Sequence, residues 1–134
     1  MKYGRLNIII GSIVIVAGGI GGFLLGGTLD SFVKDGVYNI TIVRIFMRGS
    51  HTHGLLMAFY NLIFGLMVDS LALSGKAKRA GSIIAACSLL LPVGLGLRGM
   101  TDGSMAFAPI SLLGGVLFIA SSVFILIGAI RKKD

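Results

Sequence analysis

Residues 6–28, LNIIIGSIVIVAGGIGGFLLGGT, run from Leu6 to Thr28 without one acidic or basic side chain. About 20 apolar residues in a helix cross the roughly 30 Å hydrocarbon core of a bilayer, and this stretch is long enough to do so. Lys2 and Arg5 ahead of it give the outline of a secretory signal. The run is too long for a signal core, however, and LLGGTLDSF (24–32) offers no A-x-A-like cleavage site, so it reads as a retained helix.

Three further apolar runs follow, giving spans at roughly 6–28, 52–74, 80–99 and 109–130. The expected fold is therefore all-α: one domain, residues 1–134, forming an integral-membrane bundle of four transmembrane helices. Composition agrees, since 55% of the chain is hydrophobic and only 13% charged, too little polar surface for a soluble domain. An even number of spans puts both termini and the 75–79 loop on one side. Lys2, Arg5, Lys76, Lys78, Arg79, Arg131, Lys132 and Lys133 fall there, against Lys34, Arg44, Arg48 and Arg98 on the other. The positive-inside rule makes the first side cytoplasmic, and the location expected is the cytoplasmic membrane of a prokaryote. The formal charge of +7 is thus an orientation signal and not a nucleic-acid footprint, because no basic face or aromatic platform accompanies it.

The 29–51 connection is longer than a hairpin needs. Its segment VYNITIVRIFM (37–47) carries Asn39, Thr41 and Arg44 and reads as too short and too polar to span, so it is expected along the outer interface as a strand or short amphipathic helix. Asn39-Ile40-Thr41 also has the form of a glycosylation acceptor. Pro92, inside the third span, should kink that helix and free a carbonyl near residue 88. Gly18, Gly22 and Gly26 recur every four residues on one face of the first span. Such a face permits close backbone approach, to a neighbouring helix, to another subunit or to a flat cofactor. The single cysteine, Cys87, lies in an apolar run and builds neither a disulfide nor a thiolate zinc site.

Both histidines, His51 and His53, stand in RGSHTHGLLMAFYN (48–61), where the second span begins. A coordinating side chain at a membrane boundary is a functional candidate when it faces protein. In a helix the two rings point about 200° apart, so they do not serve one ligand together. His51 shares a face with Gly54, Leu55, Ala58 and Leu62, as an axial ligand over a planar apolar group would, whereas His53 stands with Met57, Tyr60 and Asn61. Arg44, Arg48 and Arg98 lie at the same level, where propionate or phosphate groups of a ligand could reach them; Arg98 has Asp102 as an alternative partner. Paired carboxylates, HExxH, GxSxG, phosphate loops and dinucleotide fingerprints are all missing, so any catalysis needs an electrophile supplied by a cofactor.

The stretches RGSHTHGLLMAFYNLIFGLMVDSLALSGKAKRAGSI (48–83) and LLLPVGLG (89–96) resemble the corresponding half of the styrene oxide isomerases, over about a third of the chain. The shared features are a histidine opening the second helix, Ser70-Leu71 near its end, a short basic loop, and Val93-Gly94 late in the third helix. Members of that family are small four-helix membrane proteins that hold haem b and use its ferric iron as a Lewis acid to isomerise epoxides to carbonyls. The resemblance implies that His51 ligates the iron, that Arg48 or Arg98 meets the propionates, that the substrate is small and hydrophobic, and that the chain is a homo-oligomer, a trimer in the family. Two positions depart from the pattern: Met57 and Gly96 stand where the family has an asparagine and a tyrosine near the reacting epoxide, with Asn61 one turn on.

Two other classes compete. Met47, His51, His53 and Met57 form a soft Met/His set suited to Cu(I), which makes a copper-handling protein with His53 and Met57 as alternative ligands the second reading. A structural or accessory membrane subunit with interfacial histidines is the third.

Overall fold

A computed structural model of the chain describes residues 1–28, the paired residues 33–34 and 37–38, and residues 40–132. Its elements are helix α1 (Arg5–Gly27), a minimal ladder of β1 (Val33–Lys34) on β2 (Val37–Tyr38), helix α2 (Ile42–Met67), α3 (Gly75–Cys87), α4 (Leu90–Met100) and α5 (Ala108–Ile130). The ladder is antiparallel, Val33 opposite Tyr38 and Lys34 opposite Val37, and belongs to the α1–α2 connection. The fold class is all-α. Four helical stretches are long and apolar enough to cross a membrane: Arg5–Gly27, Ile42–Ser70, Gly75–Met100 and Met105–Ile130.

Several boundaries change. The second span begins at Ile42, not near residue 52, so the apolar half of VYNITIVRIFM is the first turns of α2 and not a separate interfacial segment. Thr41 caps that helix, its Oγ1 accepting from the Arg44 amide at 3.2 Å. Arg44 is only 5% exposed and is satisfied across the helix pair, donating to Leu25 O at 2.7 Å and Thr28 Oγ1 at 3.0 Å. The second span also ends earlier than expected, at Met67, with a 3-10 turn over Val68–Ser70. The third span starts at Gly75, capped by Ser74, and divides into α3 and α4 around Ser88 and Leu89. Pro92 is responsible: it cannot donate to Ser88 O, which takes the Leu91 amide at 3.0 Å instead. Asn39 and Lys133, used above for the glycosylation and charge readings, lie outside the described residues.

The helices pack mainly as a row, α1 on α2, α2 on α4, and α5 on α3 and α4. The start of the chain and the end of α5 lie where α2 finishes. There Asp69 accepts the Lys2 and Tyr3 amides at 2.8 and 3.1 Å, and the Ala72 amide reaches Gly128 O at 3.3 Å. We call this the terminal end and the opposite one the loop end. At the terminal end α1 touches α2 and α3 through a buried network. Asn7 Nδ2 donates to Asn61 Oδ1 (2.8 Å) and Ser82 O (2.9 Å), Asn61 Nδ2 to Met57 O (2.9 Å) and Ala85 O (3.1 Å), and Ser82 Oγ to Asn7 Oδ1 and Tyr3 O. Every amide group in it has a partner, the condition for polar groups where water is excluded. Phe64, Val68 and Ala85 form the apolar core beside it, and Tyr60 bridges to α5 through Ser121 Oγ at 2.7 Å.

The α1–α2 seam opens along its length. A Cβ at Gly4 would fall within the Gly65 carbonyl, and one at Gly11 would lie 2.7 Å from Ala58 O, so backbone meets backbone. At Gly18 and Gly22 the facing atoms are side chains, Leu55 and His51. The helices therefore separate toward the loop end. Of the expected Gly18, Gly22 and Gly26 face, the first two meet α2, and Gly26 has nothing within 4 Å among the described residues.

Candidate ligand cleft

Where α1 leaves α2, a cleft of about 670 Å³ opens between α1 and α4, with α2 at its back. This lies within the ~300–1,000 Å³ range of small-molecule and cofactor sites. Helix α1 contributes Val14, Ala17, Gly18, Gly21, Leu24 and Leu25, and Thr28 follows at its end. Helix α2 gives Met47, Ser50, His51 and Gly54, and the α4 side gives Leu89, Pro92, Val93, Gly96, Leu97 and Met100. The glycines flatten the walls. Gly54 sits under Pro92, whose Cβ would be 3.6 Å from an added methyl, and Gly96 faces Ser50 Oγ at 3.0 Å on the same measure.

Three lining side chains carry nitrogen or oxygen: Thr28, Ser50 and His51. Thr28 Oγ1 donates to backbone carbonyls one turn back, Leu24 O at 3.2 Å and Leu25 O at 3.1 Å, and Ser50 Oγ donates to Pro92 O at 2.8 Å, pinning α2 to α4 beside the proline. His51 is different. It is half-buried, and its Nδ1 is buried with no hydrogen-bond partner among the described residues. Its Cε1–Nε2 edge faces Gly22, where a Cβ would come within 2.9 Å of Cε1 and 3.3 Å of Nε2. Glycine at 22 makes room for that ring.

His53 points elsewhere. Its Nδ1 lies 2.9 Å from Gly49 O, and because a carbonyl only accepts, that nitrogen carries the proton and the ring is tied to its own helix. Met57 is buried in the interior, and neither it nor His53 lines the cleft. Of the soft Met/His set, Met47 and His51 share the cleft, with Met100 joining them from α4. Among the described residues no three His, Cys, Asp or Glu side chains are grouped as a metal site.

The arginines also separate. Arg48 is exposed and outside the lining. Arg98 turns the other way, its guanidinium 4.0 Å over the Phe46 ring and its Nη2 donating to Gly103 O at 3.4 Å and Met105 Sδ at 3.1 Å; these, not Asp102, are its partners. Arg44 is the cation attached to the lining, through its bond to Thr28 Oγ1. Asn61, one turn beyond the family's asparagine position, is committed to the Asn7 network. Sequence reading passed over Thr28 and Ser50, although a hydroxyl closing a glycine-rich run and another beside the candidate histidine were visible signals. No protein family, curated protein or solved structure matches this chain.

Proposed function

We propose that this is a multi-pass membrane protein that binds haem b through His51, with a Lewis-acid isomerisation of a small apolar epoxide as its reaction. The observation that carries the reading is the unpartnered, half-buried His51 set in an apolar, glycine-walled cleft. A buried polar nitrogen without a partner is costly, and a metal bond is one way to offset it. The residues fit the group: imidazole is a haem-iron ligand, Gly18, Gly21, Gly54 and Gly96 thin the cleft walls for a macrocycle, and Gly22 makes room for the His51 ring. Arg44, held through Thr28, is the cation at the edge of the lining, and Arg48 stands exposed one turn from His51.

Bound ferric haem would supply a Lewis-acidic iron able to draw electrons from an epoxide oxygen. The chain's own part is to bind, align and keep water out. Val14, Leu24, Val93 and Leu97 surround a guest with hydrocarbon, and among the described residues no carboxylate or amine lines the cleft. The hydroxyls of Thr28 and Ser50 already donate to backbone, so substrate selection rests on shape and apolarity. Met57 and Gly96 supply no polar contact in place of the family's asparagine and tyrosine, and the reaction proposed leans on the iron accordingly.

The test is the absorption spectrum of purified protein from haem-supplied cells, oxidised and reduced, for wild type, His51→Ala and His53→Ala. A Soret band lost only in the His51 variant supports the site, and conversion of an aryl epoxide to its carbonyl isomer supports the reaction. A wild-type protein without the band after haem supply removes this reading. The second reading then gains, since Met47, Met100 and His51 share one cleft and thioether with imidazole suits Cu(I). Competition with a Cu(I)-specific chelator would measure it.

A further inference from the structure

At the terminal end, a second cavity of about 620 Å³ is lined by Lys2, Tyr3, Ser74, Gly75, Lys76 and Arg79. Among the described residues it has no acidic lining residue, and the first turn of α3 that borders it has none either. We infer that this pocket holds the phosphate headgroup of an anionic phospholipid at the membrane surface. The inference uses the four spanning helices and is independent of any haem.

The pocket is built from pinned segments. Asp69 accepts the backbone amides of Lys2 and Tyr3, and Tyr3 O accepts Ser82 Oγ at 2.8 Å, which fixes the stretch ahead of α1 against α3. A Cβ at Gly75 would come within 2.5 Å of the Tyr3 hydroxyl, so glycine there lets the Tyr3 ring lie against the start of α3. Lys78 is already used, its Nζ donating to Asp69 O at 2.6 Å, whereas Lys76 and Arg79 are exposed at the pocket. The Lys2 ammonium stands over the Tyr3 ring at 5.5 Å. Three cations therefore converge on one concavity, with the positive end of α3 behind them.

Two features select a lipid over a free anion. The ends of three spanning stretches, at Arg5, Ser70 and Gly75, meet here, which is the level of headgroups when the spans cross a bilayer. In addition, Lys76, Arg79 and Ile83 share one face of α3, and Ile83 is 48% exposed, so hydrocarbon contact begins one turn below the charges. A headgroup with its acyl chain matches that order of cation and then apolar surface.

The test uses the full chain in detergent, titrated with phosphatidylglycerol or phosphatidylcholine and followed by native mass spectrometry of bound lipid. Phosphatidylglycerol should be retained in preference. Lys76→Gln/Arg79→Gln should weaken it about tenfold or more, and Arg131→Gln/Lys132→Gln, which removes the same charge outside the pocket, less than about twofold. Lys2→Gln, on a separate segment, should give a partial loss and serves if the double variant does not fold. Equal loss in the two double variants would reduce the effect to bulk charge and overturn the pocket. Absence of lipid preference would overturn it too, and full displacement by excess inorganic phosphate or glycerol phosphate would assign the site to a free phosphate compound instead.

Discussion

The two halves of the α1–α2 pair use the same residue types for opposite ends. At the terminal end Gly4 and Gly11 bring backbone against backbone, and the polar side chain of α1, Asn7, is satisfied by α2 and α3. At the loop end Gly18 and Gly22 meet only the side chains of Leu55 and His51, Gly18 and Gly21 border the cleft, and His51 has a buried nitrogen with no partner among the described residues. Small residues close an interface only when the opposing backbone comes to meet them. Where it does not, they make a binding wall, and the difference lies in the partner helix and not in the glycine.

The comparison can be broken by substitution. Gly65→Leu should have the largest effect, because even a Cβ there meets Gly4 O at 2.7 Å and Ile8 Cγ1 at 2.8 Å; a loss of about 3 kcal/mol or more is expected in reversible unfolding in mixed micelles. Asn7→Leu comes next. It strips Asn61 Oδ1 and Ser82 O of the Asn7 amide donor and should cost about 2 kcal/mol in the same measurement, with little change in any bound chromophore. If it removed the chromophore but left stability intact, the division of labour between the halves would be wrong.

Gly22→Ala should alter stability by less than about 1 kcal/mol, since the atom it meets is the edge of a side chain able to turn. Its signature is spectroscopic: displacement of His51 should shift or weaken the Soret band of haem-loaded protein. Gly26→Ala, with nothing within 4 Å, should stay within about 0.5 kcal/mol and leave the spectrum unchanged. A large effect there would mean that α1's outward face is covered in the working protein.

Hydropathy alone found the four membrane-length helical stretches, though not where the second and third begin, because sufficient apolar length is a property of each segment by itself. What was not legible came from pairs. Arg44 looked too polar to belong to a span, and nothing in its neighbourhood reveals that Thr28 and Leu25 O satisfy it from α1. The role of Asn7 was equally hidden, its partners lying 54 and 75 positions away. Pro92 was readable, since its missing donor acts on its own helix, and the break at Ser88 and Leu89 stands where expected. For the candidate site, helical periodicity separated His51 from His53, and the structure keeps them on different surroundings. The arginine positions were not separable that way. Arg98 swings to Phe46 and Met105, a contact that depends on how the α4–α5 turn folds back.

The Asn7 network also sets a timetable for biogenesis. Asn61 follows Asn7 by 54 residues and Ser82 follows it by 75. At a synthesis rate of about 5–20 residues per second, the first span waits roughly 4–15 s for its polar partners. During that interval the Asn7 amide needs water or another polar group as its partner. Final seating of the first helix is therefore a late event, governed by arrival of the third.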